Sequence, residues 1–361
     1  MMIQTTNNFQ ATGLDLDLSD SPNPADLKLL GASDVHMTIN PSFPGKQHGH
    51  LVLPVIHHNS ALRQLRVPVC MIEGLEKGPT VTLIAGIHGD EFEGTLTLQR
   101  MARTLSPDSI AGRVIIVPSI NLPGLLLGSR ISPLDDLDLD RCFPGNPEGS
   151  ISERLAYEVF ERLIKPADLI VDLRSGGRDL VFAPSAAIRF GTDTKHQAIS
   201  EAAMIAFGAP NSLRLPASSP NSCLQAAVNA SGRHYVQTEL GGGAGISAET
   251  LAIATTGCNN ILRHWGLLSD EMELRASRML EVRDESFYVY STTAGLLEPQ
   301  GKLGQEVWQG DVLANIIDLE NTGSKPHSIN VPRNAVLLAT RRGGTVTAGD
   351  LIAILADEVQ C

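Results

Sequence analysis

The stretch PTVTLIAGIHGDEFEGTLTLQRMARTL, residues 79–105, decides the fold. Its first half is a short apolar strand that ends in glycine, and its second half carries apolar residues at helical spacing. The alternation then repeats. GRVIIVPSIN (112–121) reads as a strand, SERLAYEVFERLIKP (152–166) as a helix and ADLIVDLRSGG (167–177) as a strand. Helices around EAAMIAFGA (201–209) and LAIATTGCNNILRHWG (251–266) flank another strand, HYVQTELGGG (234–243). Continuously apolar strands that alternate with helices predict an α/β fold, with a mostly parallel or mixed sheet covered on both faces. In such sheets ligands sit outside the carboxyl ends of the strands.

Outward from this unit the pattern changes on both sides. HMTIN (36–40), HLVLPVI (50–56) and LRVPVCMIEG (65–74) read as strands of a leading β-layer. After about Leu280, short strands and glycine turns predict a small all-β barrel or sandwich that either covers the pocket or mediates oligomerisation. The expected organisation is a loosely ordered lead-in over 1–33, an α/β domain over 34–283 and a β domain over 284–361.

Composition excludes several partners. A net charge of −12 and 4% aromatics oppose a phosphate-backbone ligand, which needs clustered cations or stacking rings. No apolar run is long enough to span a bilayer, and the first residues lack the basic and apolar parts of a signal peptide. The cytoplasm is the expected location. Cys70, Cys142, Cys223, Cys258 and Cys361 are odd in number and lack metal-clip spacing, so no disulfide framework is expected. No Gly-x-Ser-x-Gly elbow appears, and Gly86, Gly89 and Gly94 do not fit the dinucleotide fingerprint.

The candidate chemistry falls at strand ends. His88 and Glu91, three residues apart after the first strand, can converge on a divalent cation, although on the motif alone a strand-end His beside a helix-start Glu is the commoner explanation. Arg130 and Arg141 bracket Asp135, Asp136, Asp138 and Asp140. They can grip a substrate carboxylate or merely neutralise those aspartates. Glu239 precedes a glycine turn, Gly241–Gly243, where it can act as a general base next to an approaching ligand or stabilise the turn.

GIHGDEFEG, the loop NLPG…SR…LDR-x-FPG, ADLIVDL-x-SGG and TELGGG occur together in an order that resembles the succinylglutamate desuccinylase/aspartoacylase family. GKQHGHLVLP (45–54) and FYVYSTTAGLLEP (287–299) look most similar to its N-alpha-acetyl-L-2,4-diaminobutyrate deacetylase branch. The resemblance covers roughly residues 45–355. It implies a zinc carboxypeptidase-like fold, hydrolysis of an N-acyl amino acid and one Zn2+ held by His88 and Glu91. It also implies Glu239 as the carboxylate that activates water, with Arg130 and Arg141 orienting a small carboxylate-bearing substrate.

Two positions depart from the family pattern. The expected third metal ligand, a histidine, is Arg174, which has no lone pair to donate. A +2 ion 4 Å from its charge would be repelled by roughly 8 kcal/mol at an effective dielectric of 20. Asp140 stands where the family shows asparagine and would repel a substrate carboxylate unless Arg174 or a substrate amine compensates. Asp140 and Arg174 therefore join the candidate substrate-facing residues. Arg174 could swing away and leave water as a ligand in a weak two-ligand site, or Asp172 or His234 could replace the missing ligand. Alternatively, Arg174 pairs with Glu91, Asp140 or Asp172 and leaves a charge-balanced, zinc-free pocket that binds a small molecule or a partner protein.

Overall fold

The computed structural model describes residues 35–57, 60–190, 194–216 and 223–360. The expected lead-in lies outside them. The first eleven strands are β1 (His36–Met37), β2 (Gly45–His57), β3 (Ser60–Glu73), β4 (Glu76–Ala85), β5 (Ala111–Val117), β6 (Leu169–Leu173), β7 (Leu180–Phe182), β8 (Ser185–Arg189), β9 (Asn211–Leu215), β10 (His234–Glu239) and β11 (Arg278–Glu281). Among the described residues six α-helices accompany them: α1 (Glu93–Thr104), α2 (Leu122–Leu127), α3 (Ile151–Val159), α4 (Thr194–Phe207), α5 (Leu224–Ala230) and α6 (Ala248–His264).

Strands β5, β4, β6 and β10 run parallel side by side, and β8, β9 and β11 form a second parallel run. The two runs join through the antiparallel β10–β8 pair, so the sheet is mixed. The strands read as a leading layer, β2 and β3, extend its other edge antiparallel.

Period-two alternation builds a core on each face. Leu169 and Val171 of β6 pack with Leu98 and Met101 of α1 and with Cys258 and Ile261 of α6. Ile170, between them in sequence, packs on the other face with Leu155 and Val159 of α3 and Leu224 of α5. Full burial of Val81–Ala85 and of all β6 explains why these strands lack polar alternation.

The long loop before α3 is anchored at its end. Ser150 accepts from the Glu153 amide, the Glu153 carboxylate accepts from the Ser150 amide, and Ser152 donates through N and Oγ to Asp135. This reciprocal cap satisfies amides that the first helical turn leaves without partners. Ser150→Ala is expected to lose about 1 kcal/mol of stability in urea unfolding.

Eight further strands follow: β12 (Tyr288–Tyr290), β13 (Gly295–Pro299), β14 (Glu306–Val307), β15 (Val312–Ile317), β16 (His327–Asn330), β17 (Ala335–Arg341), β18 (Gly344–Val346) and β19 (Leu351–Glu358). β16, β15, β13 and β18 form a separate antiparallel sheet. β19 continues the large sheet from β11, and a third apolar cluster joins residues of both sheets. β17 also pairs with β7, and Arg342 donates to the Gly243 carbonyl, so this β-region reaches the glycine turn after Glu239.

Cys70 and Cys258 are buried thiols without a disulfide. Burial pushes Cys70 up to about 11 and Cys258 up to about 12. Iodoacetamide at pH 7.5 should leave both unlabelled in the native protein and label both in urea, as read by peptide mass spectrometry.

Candidate functional site

The ends of β4, β6 and β10 bring the candidate residues together. β4 and β6 pair through Ile84 and Asp172, and β6 and β10 pair through Asp172 and Gln237. Beyond the last paired residues, the Leu240 amide donates to the Arg174 carbonyl and the Arg174 amide to Thr238 Oγ1. This backbone seam fixes Arg174 and Glu239 relative to one another.

His88 and Glu91 lie on the tight turn between β4 and α1. That turn packs closely on the start of α2. A Cβ on Gly89 would sit 2.0 Å from the Gly124 carbonyl carbon, so glycine is required between His88 and Asp90. His88 Nδ1 is 2.6 Å from Glu91 Oε1, and His88 Nε2 is 3.1 Å from Asp138 Oδ1. Glu91 Oε2 accepts from the Ser175 amide at 3.1 Å. Burial disfavours the charged imidazole, but the carboxylates of Glu91 and Asp138 outweigh it and raise His88 to about 9.

Arg174 is the hub of the neighbouring cluster. Its Nε donates to Asp172 Oδ2 at 2.5 Å, and its NH1 and NH2 groups donate to the two Asp140 oxygens at 3.2 and 2.6 Å. The guanidinium thus holds Asp140 in a two-pronged grip and Asp172 on its third side. Tyr235 Oη donates to Asp172 Oδ2 at 2.6 Å, and the Leu224 amide donates to Asp140 Oδ1 at 3.2 Å. Although burial raises carboxyl values, Arg174 holds Asp140 far below the usual carboxylate range. Asp172 responds in the opposite sense: burial wins over Arg174 and raises it. Of the partners expected for Arg174, Asp140 and Asp172 are engaged and Glu91 is not.

Glu239 ends β10 at the rim of this cluster, with Gln237 Nε2 3.3 Å from its Oε1. Burial and the Glu91 carboxylate push Glu239 up to about 8 against the pull of Arg174, Arg189 and His88. The glycine turn beyond it serves the chain itself. Gly242 has φ +123°, and a Cβ there would meet the Leu180 carbonyl at 2.2 Å. The smallness read as room for ligand is therefore used for backbone packing at that position.

Arg130 and Arg141 stay at the edge, with side chains 54% and 76% exposed. Arg130 lies 3.8 Å from Glu91 and 3.7 Å from Asp138, and Arg141 lies 3.7 Å from Asp138. These separations balance charge without consuming either guanidinium fork. His234 is elsewhere, its ring stacked on His196 with centroids 4.3 Å apart. Tyr235 and Gln237 are partners that motif reading missed; Asp138, read there only as an anion for the arginines, also meets His88. Tyr235 sits among apolar strand residues, and only the register places its hydroxyl against Asp172.

The donor set does not fit a three-ligand zinc. His88 and Glu91 face one another, but the third expected position carries a cation that donates to Asp172 and to both oxygens of Asp140. Asp172 Oδ1 is buried without a partner, yet no three His, Cys, Asp or Glu among the described residues are grouped to hold a metal.

A mixed sheet with titratable side chains gathered at adjoining strand ends defines an α/β protein with a strand-end site, and comparison with known proteins narrows this. The succinylglutamate desuccinylase/aspartoacylase catalytic domain model matches residues 77–265, and the chain belongs to that family. An N-alpha-acetyl-L-2,4-diaminobutyric acid deacetylase of Halomonas elongata is 38% identical over 331 residues, 91% of this chain and 96% of the relative. The product-bound ectoine utilization protein EutE (DoeB) from Ruegeria pomeroyi is 38% identical with TM-score 0.86, covering 90% of this chain and 98% of that one. A succinylglutamate desuccinylase from Silicibacter sp. TM1040 is 35% identical with TM-score 0.86, covering 90% and 99%. No helix among the described residues is long and apolar enough to cross a membrane.

Proposed function

We propose that this chain hydrolyses the linear amide of a small N-acyl amino acid, of the N-acetyl diamino acid kind, at the cluster around Glu239. The observation that carries the reading is the Glu239 carboxyl at the end of a central strand, fixed beside Arg174 by the backbone seam between β6 and β10; burial and Glu91 push it up to about 8, which suits proton transfer near neutrality. The similarity to an N-alpha-acetyl-L-2,4-diaminobutyric acid deacetylase over nearly the whole chain supports the substrate class.

Each residue has a defined task in this reading. Arg130 and Arg141, exposed beside Asp138, hold the substrate carboxylate. Arg174 supplies fixed positive charge next to the reacting carbonyl. Glu239 takes a proton from water and returns it to the departing amine. In zinc amidohydrolases a metal polarises the carbonyl and acidifies water. The donor set here does not fit that ion, because a guanidinium stands at the third ligand position. Turnover of a small amino-acid derivative and buried thiols without disulfides both suit the cytoplasm.

A second reading keeps the ligand and drops turnover. It is favoured by the engagement of Arg174 with both aspartates, because a guanidinium so held neutralises charge without activating water. Acetylated and succinylated amino acids, including N-alpha-acetyl-L-2,4-diaminobutyrate, should be incubated with the protein. Acid release would be followed by NMR, and binding by saturation transfer. Release of free acid supports hydrolysis; binding without release supports the second reading; neither signal overturns both.

A further inference from the structure

At the centre of the cluster Arg174 donates to Asp172 and to both oxygens of Asp140, and His88 is held between Glu91 and Asp138. From this we infer that Arg174 is the resident cation of the site and that, together with Asp140, it makes a divalent metal unnecessary and unwelcome. The inference concerns the same cluster as the proposed function but depends only on that cluster being the functional one. It does not depend on which substrate is taken or whether it is turned over.

Geometry carries the argument. A metal at His88 and Glu91 would have to part His88 Nδ1 from Glu91 Oε1, which now meet at 2.6 Å. It would also need a third donor from β6, where the side chain that emerges at the strand end is a guanidinium. Asp172 cannot turn to it freely, because one of its oxygens takes both Arg174 Nε and Tyr235 Oη. Asp140 completes the arrangement. An asparagine at that position would offer one oxygen and a donating NH2 group, and would break the two-oxygen grip that the guanidinium makes there. Arginine at 174 and aspartate at 140 are thus a matched pair, each explaining the other.

The test is metal content by elemental analysis of full-length protein, purified without chelator and equilibrated with zinc chloride, then passed through a desalting column. Wild-type protein is expected to retain essentially no zinc. Arg174→His combined with Asp140→Asn, checked by circular dichroism, is expected to gain about one zinc per chain, lost again on His88→Ala. A wild-type protein that retains about one zinc, lost on His88→Ala, overturns the inference, and this measurement holds even if the double variant does not fold. A folded double variant that gains no zinc also overturns it. Since zinc is read without substrate, absence of hydrolysis would count against the proposed function and leave the metal result standing.

Discussion

Arg174→Met is expected to destabilise the protein by about 3–5 kcal/mol, because it leaves two carboxylates without their shared counter-charge. Asp172 is 1% exposed and Asp140 17% exposed, so water cannot readily replace the guanidinium. The two carboxylates should respond differently. Asp172, already raised by burial and bonded to Tyr235, can take up a proton; Asp140, held far down by Arg174, bears most of the loss. Arg174→Met with Asp140→Asn should therefore recover about half of the deficit, as expected for charges in direct contact. The urea midpoint should fall on the order of 1 M for the single variant. Lys165→Met serves as the comparison, since it removes an exposed helix pair with Glu161 and should cost about 0.5 kcal/mol. If Arg174→Met unfolds within about 1 kcal/mol of the parent, the guanidinium is not the counter-charge that the cluster requires.

Glu239→Gln is expected to lower the hydrolysis rate by about 10²–10⁴-fold while leaving the fold intact, because glutamine keeps the shape and cannot move a proton. The expected pH profile follows from the surroundings. Glu91 faces Glu239 as a like charge; His88, Arg174 and Arg189 face it as cations; Gln237 donates to it. Burial and Glu91 dominate, so the carboxylate form needed to take a proton from water grows as pH rises through about 8. The wild-type rate should rise over that interval, and the limb should vanish in Glu239→Gln. A variant that keeps the full rate and the same profile would remove Glu239 from the chemistry. Arg130→Ala or Arg141→Ala should instead raise KM with less effect on kcat, since an exposed guanidinium holds the substrate without moving a proton.

Much of the architecture was legible before any coordinate. Apart from Thr82 and Asp172, Val81–Ala85 and Leu169–Leu173 are apolar without alternation because both faces of their strands are covered, and that pattern predicts a central position in an α/β sheet. Strand-end placement of His88, Glu91 and Arg174 follows from the same reading, since they stand just past where an apolar run stops; Glu239 ends a more polar strand and is marked instead by the glycine turn after it. The mixed character of the sheet was less visible. The antiparallel β10–β8 pair depends on a return of the chain through β7 and β8, short strands with no periodic signal of their own.

The identity of Arg174 is a fact of sequence alone, and it excludes imidazole chemistry at that position whatever the fold does. Which anions it would meet was open among Glu91, Asp140 and Asp172, because those residues are 83, 34 and 2 positions away and local spacing says nothing of such meetings. Only the tertiary structure decided between them. The parallel register of β6 against β10 sets Asp172 opposite Gln237, next to Tyr235, and the loop before α3 folds back to lay Asp140 along the guanidinium edge. The physical reason is general. Burial patterns are carried by each short segment, whereas charge pairing depends on the distances between segments, and those exist only once the sheet has formed.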